Sequence, residues 1–122
     1  MANKCSNNNL YGQTFSLNKI DGITSESISQ VDEAIHLKFI DTNNYQLQLT
    51  ANKCTGNYTL NDDKITLNRP ACTKMCCDSP ESNQVKRLMS SIYSYSLKDG
   101  ELFLNYRKEG KDGFLEFTHV SN

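Results

Sequence analysis

A chain of 122 residues with 13 basic and 14 acidic side chains carries a formal net charge of −1. It has room for one modest core and no charge excess that would steer it to nucleic acid or an anionic membrane. No apolar run nears the roughly 20 residues that a membrane-spanning helix needs. With no Trp, six Tyr and five Phe, it lacks the aromatic density of a base-stacking surface.

The first residues, "MANKCSNNN", are polar and contain no hydrophobic stretch of the kind a secretory signal requires. Residues 1–9 are expected to be a flexible tail and residues 10–122 a single domain. The chain is then either cytosolic or a mature segment whose signal has been removed, and the cysteines must decide.

Alternation of apolar and polar residues dominates the chain beyond this tail. Phe15 and Leu17 share one face of "YGQTFSLNKI". In "AIHLKFI", Ile35, Leu37 and Phe39 oppose His36 and Lys38. In "YQLQLT", Tyr45, Leu47 and Leu49 oppose Gln46 and Gln48. Period two describes antiparallel strands with one face on a core and one in water. "DTNN" between the last two runs is hairpin chemistry, because Asp and Asn tolerate left-handed backbone. The pattern resumes in "NYTL", "KITLN", "YSYSL", "ELFLNY" and "FLEFTHV", joined by "NDD", "KDG" and "EGKDG" turns. Residues 22–33, "GITSESISQVDE", read as a long polar connection.

One segment breaks the period. In "DSPESNQVKRLMSSIY", Val85, Leu88, Met89 and Ile92 fall at i, i+3, i+4 and i+7, one stripe of a helix. Ser79 suits the N-cap, Pro80 the first helical position and Glu81 the first turn. A helix is expected at about 80–92. The fold class is α+β: a curved, partly barrel-like antiparallel sheet of six to eight strands, with the helix over its open end or face. The expected core is Phe15, Leu17, Leu37, Phe39, Leu47, Leu49, Tyr58, Ile65, Leu67, Leu88, Met89, Leu102 and Leu104.

Three stretches in order resemble one family. "LYGQTFSLNKIDG" has Leu-x-Gly-x-x-aromatic-x-Leu-x-x-Ile-x-Gly. "NKCTGNYTLNDDKITLNRPACTKMCC" has Asn52, Gly56 and Tyr58 spaced as Asn-x-x-x-Gly-x-Tyr, then a hairpin, then Thr73, Lys74, Met75 and Cys77. "YSYSLKDGELFLNY" matches a closing hairpin. Together they resemble META or HslJ-like domains over nearly the whole chain. The resemblance implies a small bacterial envelope protein, often a lipoprotein, tied to stress or drug tolerance, with a parasite branch linked to virulence. It implies a partly barrel-like antiparallel sheet with one packed helix, and no established catalytic residues. The family's usual Gly-Cys-Asn is Thr50-Ala51-Asn52 here. Its first cysteine is therefore missing, and Cys54 stands three residues on. Cys77 keeps the family position of the second, while Cys72 and Cys76 are extra.

Cys54, Cys72, Cys76 and Cys77 are read as disulfide partners, because small extracytoplasmic domains use such bonds to supplement small cores. Adjacent Cα atoms lie about 3.8 Å apart, below the roughly 4.4 Å of ordinary disulfide geometry, so Cys76 and Cys77 are not expected to pair. That leaves two sets: Cys54–Cys77 with Cys72–Cys76, or Cys54–Cys76 with Cys72–Cys77. The family position of Cys77 favours the first. The competing reading is a thiol-based metal site built from the same four cysteines, though one Cys-x3-Cys with an adjacent and a distant cysteine departs from zinc-knuckle spacing. Cys5 is a candidate lipid-bearing residue if a signal has been trimmed, although Lys4 before it departs from the small residue such sites use.

No nucleophile, base and orienting group can be assembled from the sequence. His36 and His119 have no partner close in sequence, and "NDDK" lacks calcium-loop spacing. Asn52 is read as satisfying backbone groups at a bend, and Gly56 as allowing a bulge. The chain is therefore expected to be a non-catalytic envelope domain, monomeric and without a cofactor. It is expected to bind an unknown protein or small ligand and to touch a membrane only through an anchor at Cys5.

Overall fold

The computed structural model describes residues 10–21 and 35–120. The expected tail at 1–9 with Cys5, and the long connection at 22–33, lie outside them.

Strands β1 (Thr14–Asp21), β2 (His36–Phe39), β3 (Asn44–Gln48), β4 (Lys53–Asn61) and β5 (Lys64–Leu67) are followed by the two-residue strand β6 (Ala71–Cys72). Helix α1 (Pro80–Leu88) and a 3-10 turn (Met89–Ser91) then lead to β7 (Ile92–Lys98), β8 (Glu101–Lys108) and β9 (Lys111–His119). Every pairing is antiparallel, and eight strands close into a ring in the order β1, β2, β3, β4, β5, β7, β8, β9. The sheet is therefore a closed barrel, more complete than the curved sheet expected, and the helix is a minor part of it. Closure removes the unpaired edges that an open sheet exposes. The seam is narrow: β5 meets β7 at one residue pair, Lys64 with Ser94, next to a Tyr95 N–H donating to the Asp63 carbonyl at 3.0 Å. Strand β6 lies outside the ring against the start of β4.

Turn chemistry fixes the hairpins. Asp99 and Gly100 (φ 54° and 82°) join β7 to β8, and Glu109 and Gly110 (φ 54° and 79°) join β8 to β9. Positive φ at both central residues matches the twist of the flanking strands. Between β2 and β3 the Asp41 carboxylate accepts the Asn43 and Asn44 N–H groups, each at 2.8 Å. Those bonds, with the Asn44 side chain foremost, hold its pKa below the usual carboxylate value.

Inward-facing alternate residues fill the interior. All thirteen expected core residues are buried, joined by Leu10, Ile20, Ile35, Tyr45, Cys54, Val85, Ile92, Tyr106, Leu115 and Phe117. On α1, the Ser82 N–H donates to the Ser79 side chain at 3.0 Å, Pro80 opens the helix, and Val85 and Leu88 face inward. The helix stops at Leu88, earlier than the expected end near 92. The chain tightens through Met89–Ser91, and Ile92 joins the ladder opposite Tyr106. The apolar stripe runs across a helix, a 3-10 turn and a strand, all serving one core. Among the described residues no helix is long and apolar enough to cross a membrane.

Candidate functional site

The β3–β4 turn and the loop before α1 are bound into one polar assembly. At its centre is Asn52, which is buried. Its side-chain NH2 donates to the Met75 carbonyl at 2.9 Å and to Asp78 Oδ2 at 2.6 Å. Its carbonyl oxygen accepts the Thr73 hydroxyl and the Met75 N–H, each at 2.7 Å. A carboxamide has two donors and two acceptor positions, so its capacity is filled. Asp78 answers from the loop: Oδ1 accepts the Ala51 N–H at 2.6 Å, the Asn52 N–H at 3.0 Å and the Thr50 hydroxyl at 3.3 Å. The Ser79 N–H donates to Thr50 Oγ1 at 2.8 Å, and the Thr50 N–H to Ser82 Oγ at 3.0 Å. The helix N-cap is thereby continuous with the turn. Desolvation works to raise the Asp78 pKa. The Asn52 side chain, the Ala51 and Asn52 N–H groups and Thr50 outweigh it and hold the carboxyl below its ordinary value.

The roles of Asp78, Thr50 and Ser82 do not show in the sequence. An Asp immediately before an N-cap Ser is the available signal, but nothing local tells that its partners lie nearly thirty residues upstream.

Cys54 and Cys72 are directly opposed on β4 and β6, with Cα atoms 4.0 Å apart, and are joined by a disulfide. The other two cysteines, Cys76 and Cys77, are adjacent in sequence, and their sulfurs lie against each other. Neither expected set is present. The exclusion of an adjacent pair forced Cys54 toward residues 76 or 77, but the sheet decides otherwise. The Thr73 N–H donates to the Lys53 carbonyl at 3.0 Å and the Lys53 N–H to Thr73 Oγ1 at 3.1 Å. These bonds set the register that places Cys54 against Cys72. Cys54 is buried in the core, whereas Cys76 and Cys77 are exposed.

The remaining motif residues serve the frame. Gly56 lies opposite Tyr45 with an unbroken register, so no bulge forms there. A Cβ at Gly56 would stand 2.7 Å from Cε2, Cζ and the hydroxyl of Tyr45, so the position is glycine because the ring packs over it. The Tyr45 hydroxyl donates to the Asn68 carbonyl at 2.6 Å, and burial pushes its pKa well up. The Tyr58 hydroxyl donates to the Asp41 carbonyl at 2.6 Å, with its ring edge-on to Phe39 at 4.9 Å. Thr73 holds Asn52. Met75 is clamped through its backbone alone, and its side chain is 65% exposed.

Elsewhere the candidates are sparse. His36, with Lys38, Gln46, Gln48 and Lys53, lines a shallow outer depression of about 330 Å³. The exposed His119 lies edge-on to Phe15 at 5.7 Å. Asp62 and Asp63 form the β4–β5 turn. Among the described residues, no three His, Cys, Asp or Glu side chains converge in metal-holding geometry, and no buried side-chain polar atom lacks a partner.

Two solved structures share this architecture. An NMR structure of a protein from Burkholderia xenovorans superposes with a TM-score of 0.69 at 15% identity, covering 93% of this chain and 85% of that one. A crystal structure of a DUF4847 family protein from Bacteroides vulgatus gives 0.66 at 13% identity, covering 93% and 96%. At such identities the likeness is one of fold. No curated protein matches in sequence. The sequence profile of the META domain matches residues 8–118, and the chain belongs to the META domain family.

Proposed function

We propose that this chain is a non-catalytic META domain of an oxidising, extracytoplasmic compartment, acting through its outer surface on a protein or small-ligand partner in envelope stress tolerance. The observation that carries this reading is the saturation of Asn52. The most distinctive polar residue of the motif spends all its hydrogen-bonding capacity on the β3–β4 turn and the 73–78 loop, leaving none for a substrate. The inward-facing side chains of the described strands likewise pack into one core cluster, which favours a partner that meets the outside. The Cys54–Cys72 bond supports an oxidising environment, since reducing compartments rarely sustain structural disulfides.

The four-cysteine metal site is the weaker reading. It needs Cys54, Cys72, Cys76 and Cys77 to share an ion, and Cys54 and Cys72 are already spent on each other.

The test is thiol trapping in the source cells at harvest, combined with cell fractionation and a deletion strain challenged with envelope stress. The reading expects an oxidised Cys54–Cys72 pair, an extracytoplasmic fraction and a stress-sensitive deletion. A fully thiol, cytosolic protein would overturn it.

A further inference from the structure

The two sulfur pairs differ in what they do for the fold. Cys54–Cys72 is part of the core cluster and spans 18 residues of chain. Cross-linking a loop of that size restricts the unfolded chain and stabilises the folded one. Cys76–Cys77 spans a separation of 1. It closes no loop, so it removes almost no freedom from the unfolded chain and has no stabilising role of that kind.

The loop holding this second pair does not depend on it. Asn52 grips Met75 through both its N–H and its carbonyl, and Asp78 is tied to the Ala51 and Asn52 N–H groups. The two cysteines are therefore displayed between two anchored residues. Both are exposed, and the neighbouring Met75 side chain is exposed as well. Cys77 has φ +88°, a left-handed backbone that a non-glycine residue adopts only at an energetic cost and that gathers at functional sites. An exposed sulfur pair without a role in stability, held on a scaffold that stands without it, is arranged for chemistry.

We propose that Cys76–Cys77 is a surface thiol–disulfide exchange site for low-molecular-weight thiols. A thiolate attacks one cysteine sulfur and the bond between the cysteines breaks. The attacked cysteine becomes a mixed disulfide, and the other leaves as a thiolate that takes a proton. A second thiolate attacks the sulfur of the small thiol in the mixed disulfide, releasing the second cysteine as a thiolate that is protonated in turn. The protein pair gains two electrons and two protons, and the two small thiols leave as one disulfide. The barrel and the Cys54–Cys72 bond are unchanged throughout.

The test uses the full oxidised chain, exposed to glutathione under native conditions, alkylated and cut with trypsin. Cleavage after Lys53, Lys64, Lys74 and Lys86 separates residues 54–64, 65–74 and 75–86, because Arg69 precedes Pro70 and resists. The expected result is double alkylation of peptide 75–86 more than about tenfold faster than release of the linked pair 54–64 and 65–74, since exchange follows access. The glutathione-treated protein is also expected to take up one equivalent of phenylarsine oxide, two thiols replacing its oxygen with loss of water. A double substitution, Cys76→Ser with Cys77→Ser, should abolish that uptake and leave Tm unchanged. Alkylation of both pairs at one rate, resistance of peptide 75–86, arsenical uptake by the double variant, or a lowered Tm in it would each overturn the proposal.

Discussion

Tyr106 on β8 lies directly opposite Gly113 on β9, and its ring occupies the space that a Cβ at Gly113 would need. Its hydroxyl donates to the Asp21 carbonyl on β1, so one side chain ties three consecutive strands. Tyr45 repeats the device across the barrel, lying over Gly56 and reaching the Asn68 carbonyl. In each case the glycine admits a ring at the wall and the hydroxyl donates to a backbone carbonyl of a neighbouring segment.

Replacing either glycine by alanine should destabilise the fold, and Gly113→Ala should cost more. Its Cβ would meet the Asp21 backbone carbonyl as well as Tyr106, whereas at Gly56 the obstacle is one side chain. Overpacking of this kind costs about 1–3 kcal/mol. Urea unfolding of both variants checks the magnitude and the order, and equal or negligible losses would count against the close approach.

Asn52→Ala should cost about 3 kcal/mol, because it strands the Thr73 hydroxyl, the Met75 N–H and one oxygen of Asp78 together. Amide exchange at Met75 should accelerate in the variant while the β8–β9 hairpin keeps its protection. Loss of protection throughout the barrel would mean that Asn52 supports the whole sheet and not one loop.

Acid should weaken the fold through Asp78. Its folded pKa lies below the ordinary 3.8, so as pH falls the unfolded chain takes up a proton first. The contribution is complete above about pH 4 and is lost as pH drops through the depressed value. Asp78→Asn should flatten the stability profile between about pH 5 and 2, and an unchanged slope would show that other carboxylates carry it.

Alkali acts through Tyr45 with the same logic. Burial raises its pKa above the ordinary 10.0, so above that pH the unfolded chain loses a proton that the folded one keeps. Stability should therefore fall as pH rises past about 10. Tyr45→Phe should be less stable at neutral pH for want of the bond to Asn68, yet show a shallower alkaline decline. A parallel decline in both proteins would mean that Tyr45 does not carry it.

Cys54→Ala with Cys72→Ala should lower stability by about 3 kcal/mol, the entropic value for a loop spanning 18 residues. A loss near zero would mean that the pair is not bonded in the protein as isolated.

Strand positions were legible because period two is written in Leu37, Phe39, Leu47 and Leu49, and the helix start because Ser79 and Pro80 are local signals. Ring closure was not legible, since it rests on one pair between Lys64 and Ser94 that no pattern encodes. Strand β6 is two residues long, too short for any periodicity, and with it went the partner of Cys54. Asn52, Gly56 and Tyr58 stood out through the family motif, but the roles of Gly56 and Asp78 depend on contacts far away in sequence, with Tyr45 and with the β3–β4 turn.

The most direct measurement is a tryptic map of the protein purified without reductant. The barrel register predicts peptide 54–64 disulfide-linked to peptide 65–74, with peptide 75–86 linked to neither. A link from 54–64 to 75–86 would contradict the pairing of β4 with β6, and with it the assembly built around Asn52.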